Sequence, residues 1–412
     1  MTDNAKSPIL SKNVSSSIGL APPLRFSGFE GEWSGTKLSR LFQKITQKNK
    51  SGVITNVICN SAKNGLIPQR DFFDKDIANV ENTNGYFIIQ KNDFVYNPRK
   101  SNDAPYGPIS TYKHEEDGIV SPLYLCFRPS RDIDVRYFDA YFKSTVWHRY
   151  IYFAGDSGAR HDRVSIKDEN FFAMPVNIPV LPEQQKIADF LSLVDERIEK
   201  QRQLVEVLKR YKRGLFLLLF DGKQQNNILS QIIEYGKAGG TPTSTNKNYY
   251  SGTIPFLSIS DMTAQGKFLR NTEKHISELG LKNSTAWLVP ANSLIISMYA
   301  SYGLVSINTI PITTSQAMFS IIPKDETDTE YLYYYLSYLS TTGYYDKMVS
   351  TGTQANLNAE KVKNIPIYFP SKEERTKIKV ILKTFDEMED AENRKLETLL
   401  DIKSGLLQQM FI

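Results

Sequence analysis

Few side chains in this 412-residue chain have the type and spacing for covalent, redox or metal chemistry. Cys59 and Cys126 are its two cysteines, too few for a disulfide framework or, by themselves, a zinc site. They read as reduced thiols of a cytosolic protein. His114, His148, His161 and His275 show no ligand spacing. No glycine-rich run ends in the Gly-Lys-Ser/Thr that would cradle a nucleotide phosphate. Gly239-Gly240-Thr241-Pro242 forms a turn with no helix-opening dinucleotide fingerprint behind it. Asn97-Pro98-Arg99 is a turn too, not the Asn/Asp-Pro-Pro-aromatic motif of an amino-methyltransferase. Acidic residues are scattered, without the carboxylate–lysine cluster of a nuclease centre. The pattern favours a binding protein over an enzyme.

The elements that must position any binding residues are written twice. Residues 174–220 and 365–411 superpose at an offset of 191 without a gap. Pro175, Pro179, Glu183, Lys186, Ile187, Leu191, Asp195 and Glu196 meet Pro366, Pro370, Glu374, Lys377, Ile378, Leu382, Asp386 and Glu387. Further on, Leu208, Lys212, Gly214, Leu215 and Phe220 meet Leu399, Lys403, Gly405, Leu406 and Phe411. A duplication this long lies outside the short-period solenoids. It describes two similar halves.

Each copy predicts a long helix. Pro179, Pro182 and Pro370 suit a helix entry, and Glu183, Glu373 and Glu374 suit the positive end of its dipole. Apolar residues then recur at alternating steps of four and three: Ile187, Leu191, Val194, Ile198, Val205, Leu208 and Leu215. The second copy supplies Ile378, Leu382, Phe385, Leu396, Leu399, Leu406 and Met410. This heptad seam marks helices packed along their length. It is interrupted at Gln201, Lys212, Glu389, Glu392 and Lys403. A helix from Glu183 to Phe220 would span roughly 57 Å at 1.5 Å per residue. Antiparallel packing would place the remainder of each half at opposite ends of such a spacer.

Between the helical copies lie two dissimilar regions that read as mixed strand and loop, with runs such as Gly85–Gln90, Leu123–Phe127, Leu294–Met298 and Met318–Ile322. A helix follows the last strand of each, with Tyr137, Phe138, Tyr141 and Phe142 matching Tyr331, Leu332, Tyr335 and Leu336 at an offset of 194. The expected division is 1–23 as a flexible N-terminal tail, 24–173 and 221–364 as globular α+β domains, and 174–220 and 365–412 as helical spacers. The tail is Ser/Asn/Lys-rich and lacks the apolar core of a signal peptide. The longest wholly apolar run, Leu215–Phe220, is far short of a membrane span. A net charge of +5 excludes a histone-like polycation, and the small excess lies in the first half.

Together these pieces resemble the specificity subunit of Type I restriction-modification systems, over essentially all of residues 24–412. The duplicated Pro-x-x-x-Pro…Lys-Ile…Leu…Asp-Glu…Lys-x-Gly-Leu segments carry the resemblance. So do GGTPTSTNKNYYSGTIPFLSISDM and the stretches just before each long helix, ARHDRVSIKDENFFAMPV and GTQANLNAEKVKNIPI. The resemblance implies a fold of two target-recognition domains joined and separated by two long antiparallel helices, a coiled-coil spacer with a pseudo-twofold repeat. It implies that each domain reads one half of a bipartite double-stranded DNA site. The helices would set the spacing and dock two modification (methyltransferase) subunits, with restriction subunits in the larger complex. Adenine methylation with S-adenosylmethionine and cleavage driven by ATP and Mg would belong to those partners, leaving this chain non-catalytic, without a cofactor, and cytoplasmic. Two other readings are a stand-alone enzyme on nucleic acid and a coiled-coil adaptor with no DNA role.

Reading base edges needs Arg or Lys for guanine, Asn or Gln for adenine, and hydroxyls as helpers, on loops held by a rigid core. In the first domain the candidates are Lys63, Asn64, Arg99, Lys100, Ser101, Tyr106, Arg160, His161 and Arg163. In the second they are Thr241, Thr243, Ser258, Ser260, Asp261, Tyr299, Ser301, Tyr302, Thr353, Gln354 and Asn356. Arg160–Arg163 and Thr351–Gln354 occupy equivalent places before the long helices and are the foremost of these.

Overall fold

The structure, a computed structural model, describes residues 10–12, 21–72, 83–155, 162–299, 301–349 and 357–412. The chain divides into two compact units, residues 1–201 with 395–412 and residues 202–394.

In the first unit four short strands, β1 (Phe42–Lys44), β2 (Phe94–Tyr96), β3 (Ile109–Thr111) and β4 (Leu125–Pro129), form an antiparallel sheet in the order β1-β4-β2-β3. The apolar runs of β2 and of Leu125–Phe127 in β4 follow from burial on both faces. Phe94 and Tyr96 face a core shared with the helices, while Val95 faces a second sheet together with Ile58, Ile89 and Val120. That second sheet pairs Gly118–Val120 in parallel with Val57–Ser61. Helix α1 (Val135–Lys143) covers the first face; the Asp134 carboxylate accepts from the backbone N–H groups of Arg136 and Tyr137, capping the helix.

The second unit repeats this wiring. Strands β5 (Ile233–Ala238), β6 (Leu294–Ser297), β7 (Val305–Asn308) and β8 (Met318–Pro323) run in the order β5-β8-β6-β7, with Phe268–Leu269 added in parallel as a fifth strand beyond β7, and helix α2 (Thr329–Thr341) follows. Leu294 and Ile296 face the helical core, and Ile295 faces the smaller sheet with Leu257. There Thr313–Thr314 pairs in parallel with Ile254–Leu257.

A central helix (Leu181–Phe220) and a distal helix (Lys372–Gln409) are each continuous, and each unit takes a segment of both. Parts of both helices thus also belong to each compact unit, because their ends fill its core. In the first unit Ile187, Ala188 and Leu191 meet Leu407, Met410 and Phe411 beneath α1. In the second, Phe216 and Phe220 meet Ile378 and Leu382 beneath α2. Within each unit an early part of one helix lies against a late part of the other, so the segments run antiparallel. The repeat extends to single contacts. Leu38 donates its backbone N–H to Met174, and Leu229 donates to Ile365, 191 positions on. The Phe411 ring packs 5.9 Å from Tyr141, and its counterpart Phe220 packs 5.3 Å from Tyr335.

Of the heptad residues, Ile187, Leu191, Ile198, Val205, Leu208, Ile378, Leu382 and Met410 are buried. Val194, Leu215, Phe385, Leu396, Leu399 and Leu406 are half-buried. The seam also contains Ala188, Phe216 and Leu407, and Gln201, read as an interruption, is buried in it. The N-terminal tail contains structure as well: Leu10–Lys12 pairs antiparallel with Leu24–Phe26, two extended segments that satisfy each other's backbone groups.

Candidate nucleic-acid interface

Strand direction brings the loops of each unit to one end of its main sheet. In the first unit β2 ends where β4 begins, since Tyr96 pairs with Leu125. The segment after β2 and the segment before β4 therefore emerge together. Between them and the hairpin joining Val57–Ser61 to Gly65–Pro68 opens a cleft of about 570 Å³. Its lining gathers Lys63, Asn64, Arg99, Lys100, Ser101 and Arg163, six of the residues singled out by type. Tyr124, Asn60 and Asn97 line it as well, and Asp103 contributes the one carboxylate of the lining.

The floor of this cleft is rigid and its rim is exposed. Asn60 donates to the carbonyls of Val95 and Pro108, and Asn97 donates to the Asn60 carbonyl, tying hairpin to sheet. Lys63, Asn64, Arg99, Lys100 and Ser101 are exposed, whereas Arg163 is half-buried. Arg99 and Arg163 face each other across an antiparallel bridge, flanked by the bonds Lys100 N–H to Asp162 O and Val164 N–H to Pro98 O, both 2.9 Å. Burial pushes the Cys59 thiol at the cleft up, and it does the same to Cys126 in the core, so neither thiol is primed as a nucleophile. Tyr106 stands apart from this lining; its ring lies 4.8 Å from His148, and its carbonyl accepts from the Tyr96 hydroxyl.

In the second unit the same end of the sheet carries the loops after β5, after β6 and before β8. Ser297 pairs with Met318, and Gly239 donates to the Met318 carbonyl. Thr241 hydrogen-bonds the side-chain amide oxygen of Gln316, an exposed residue that the type argument passed over. Tyr299 and Ser301 are exposed, Ser301 in the left-handed region at φ 51°. Tyr302 donates to Asp346 at 2.6 Å. Thr243 and Ser260 are exposed. Gly239 and Gly240 are demanded by close packing. A Cβ on Gly240 would lie 2.1 Å from Thr285 Oγ1, and one on Gly239 2.1 Å from the Thr314 carbonyl.

Ser258 and Asp261 have a different task. Ser258 caps the helix Ile259–Gln265, accepting from the Asp261 N–H, while the Asp261 carboxylate accepts from Ser258 N–H at 2.8 Å and from Glu273 N–H at 3.1 Å. These polar atoms are engaged inside the domain, and Asp261 is buried. The Ser-x-x-Asp spacing of a capping box was the available signal. Arg160, His161, Thr353, Gln354 and Asn356 lie outside the described residues.

Among the described residues no group of three His, Cys, Asp or Glu side chains could hold a metal ion. No described helix is long and apolar enough to cross a membrane. The duplicated α+β domain thus presents exposed loops at one sheet end, rich in lysine and arginine around the cleft of the first copy and without either in the loops 239–243, 298–304 and 315–317 of the second.

Comparison with known proteins fixes the family. The family model for the Type I restriction modification DNA specificity domain matches residues 34–210 and again residues 225–400. The HindI specificity subunit of Haemophilus influenzae is 23% identical over 464 aligned positions, covering 90% of this chain and 97% of that protein. A solved chain from work on complex assembly and conformational transition of the Type I restriction-modification system shares the fold at TM-score 0.56 and 14% identity. It covers 92% of this chain and 97% of its own. The crystal structure of the S subunit from M. genitalium matches at TM-score 0.52 and 16% identity, covering 95% and 99%. The chain belongs to the family of Type I restriction-modification DNA specificity subunits, which recognise the target sequence and leave the chemistry to other subunits.

Proposed function

We propose that each domain reads one half of a bipartite double-stranded DNA target through the loops at the equivalent sheet end. The cleft that collects Lys63, Asn64, Arg99, Lys100, Ser101 and Arg163 carries this reading. Basic and amide side chains on a fixed floor are what contacts to phosphates and base edges require. The continuous helices set the separation of the half-sites; reading heads on one side of a duplex fall about 34–36 Å apart, one turn, or a multiple of it. Two modification subunits dock on the helices, one per repeat, and restriction subunits join a larger complex. This chain binds no cofactor; S-adenosylmethionine, ATP and Mg serve the partners. Its place of action is the cytoplasm, with the chromosome.

The test is reconstitution. The chain assembled with its modification subunits is expected to methylate adenine in a specific split sequence, and the chain alone to give no turnover with DNA, S-adenosylmethionine and Mg-ATP. Methylation by the chain alone would contradict the proposal.

A further inference from the structure

The first domain holds two arginines in an arrangement that the folded chain has no internal reason to prefer. The flanking bonds at Lys100 and Val164 make Arg99 and Arg163 a non-hydrogen-bonded cross-strand pair. Such pairs bring Cα atoms to about 4.5 Å with both side chains on one face. Like charges placed directly opposite each other destabilise a strand pair. Counter-charge is sparse: the Asp162 carboxylate is 3.8 Å from Arg163 Nε, and no carboxylate among the described residues pairs with Arg99. The Arg163 Nε–H is buried without a hydrogen-bond acceptor among the described residues. Both side chains line the cleft, with Lys63 and Lys100 beside them.

The second domain lacks this device at the corresponding place. Val164 N–H bonds to Pro98 O, and likewise Leu357 N–H bonds to Met298 O. Counting from Phe94 and Leu294, which open the equivalent strands β2 and β6, Tyr299 stands where Arg99 stands. The loops 239–243, 298–304 and 315–317 contain no lysine or arginine.

We propose that Arg99 and Arg163 form a two-guanidinium clamp for hydrogen-bond acceptors of DNA, making the first domain the electrostatic anchor of the complex while the second discriminates through neutral hydroxyl and amide groups. The acceptor is a backbone phosphate or the O6/N7 edge of guanine, both of which guanidinium grips in bidentate fashion. The clamp rests on the DNA-reading role proposed above. DNA completes a charge arrangement that the free chain tolerates at a cost.

The experiment measures DNA affinity against salt for the full chain assembled with its modification subunits, using the methylated duplex, duplexes with one half-site scrambled, and single G·C substitutions in the first half-site. The variants are Arg99→Gln, Arg163→Gln and Tyr299→Ala. Each arginine variant is expected to weaken binding about tenfold. Each should also raise the melting temperature of the free chain by about 1–3 °C through relief of like-charge repulsion. A phosphate contact lowers affinity uniformly across sequences and reduces the slope of log K against log salt by about 0.9. A guanine contact instead removes discrimination at one G·C pair. Tyr299→Ala leaves the salt slope unchanged. Unchanged affinity and slope in both arginine variants, with wild-type complex still discriminating scrambled half-sites, overturn the clamp alone. Wild-type binding indifferent to scrambling either half-site overturns the DNA-reading role itself.

Discussion

Lys212 Nζ lies 2.5 Å from Asp386 Oδ1, and the same pairing recurs 191 positions away between Lys403 and Asp195. Two helices that repeat each other and pack antiparallel can make the same contact twice. These ion pairs are such a contact. Their surroundings have diverged. Lys212 also reaches Glu389, and Asp386 is shared with Lys267 at 2.9 Å and with the Tyr334 hydroxyl at 2.6 Å. Lys267 in turn lies 4.3 Å from the centre of the Tyr334 ring. In the first unit Ala140 occupies the position of Tyr334, and a cavity of about 340 Å³ opens beside Asp195 and Lys403.

The equivalent pairs should therefore differ in worth. Asp386 is 15% exposed and Asp195 48%. Asp386→Asn leaves two largely buried ammonium groups without their shared carboxylate and should cost about 3 kcal/mol. Asp195→Asn should cost under about 1 kcal/mol, as for other exposed pairs. Denaturant unfolding of the two variants checks this order.

Acid should reveal Asp139. Burial pushes its carboxyl up, but Lys143 and Lys113 outweigh burial and hold it at about 2. A lowered folded pKa means stability that is complete above the ordinary carboxylate value and is lost as pH falls through the folded one. The loss should fall mainly between about pH 4 and pH 2 and amount to roughly 2–2.5 kcal/mol. Asp139→Asn should flatten that part of the stability–pH curve of the first unit.

Glu183 is the other carboxylate that the fold depends on. Arg25 grips it through Nε at 2.7 Å and a second nitrogen at 2.8 Å, and Trp33 donates to it at 3.3 Å. Glu183→Ala strands a buried guanidinium and should destabilise by about 3–5 kcal/mol. Its repeat counterpart Glu374 is exposed and bonded by the Tyr368 hydroxyl. Glu374→Ala should stay within about 0.5 kcal/mol. Thermal melts of both variants separate the cases.

The C-terminal Phe411 is a core residue, 1% exposed and set against Tyr137 and Tyr141. Phe411→Ala should cost about 3–5 kcal/mol by leaving a cavity beneath α1. Phe220→Ala should do the same beneath α2, where the ring meets Tyr331, Tyr335 and Tyr338. Equal losses, measured by denaturant titration, would follow from the repeat.

The sequence spoke most clearly where a physical constraint acts along the chain. The offset of 191 and the heptad spacing expose the two helices and most of their seam, because helix periodicity is local. Lys212 and Lys403 read as interruptions because their partners lie on the other helix, where spacing alone does not look. Arg25 and Glu183 are 158 positions apart, and nothing local ties them. The six cleft residues were legible by type, yet the Arg99–Arg163 bridge needs strands that converge only in the fold. At Ser258 and Asp261 residue type did not show the local role, since the capping box appears only when its hydrogen bonds are traced.

The central claim is that two dissimilar domains on a doubled frame each read their own half of one target. The most direct measurement maps methylated adenines in cells carrying this chain, before and after residues 224–364 are replaced by the corresponding domain of another specificity subunit. One half of the methylated sequence should change while the other half and the spacing stay as they were. A change in both halves, or in neither, would contradict the account.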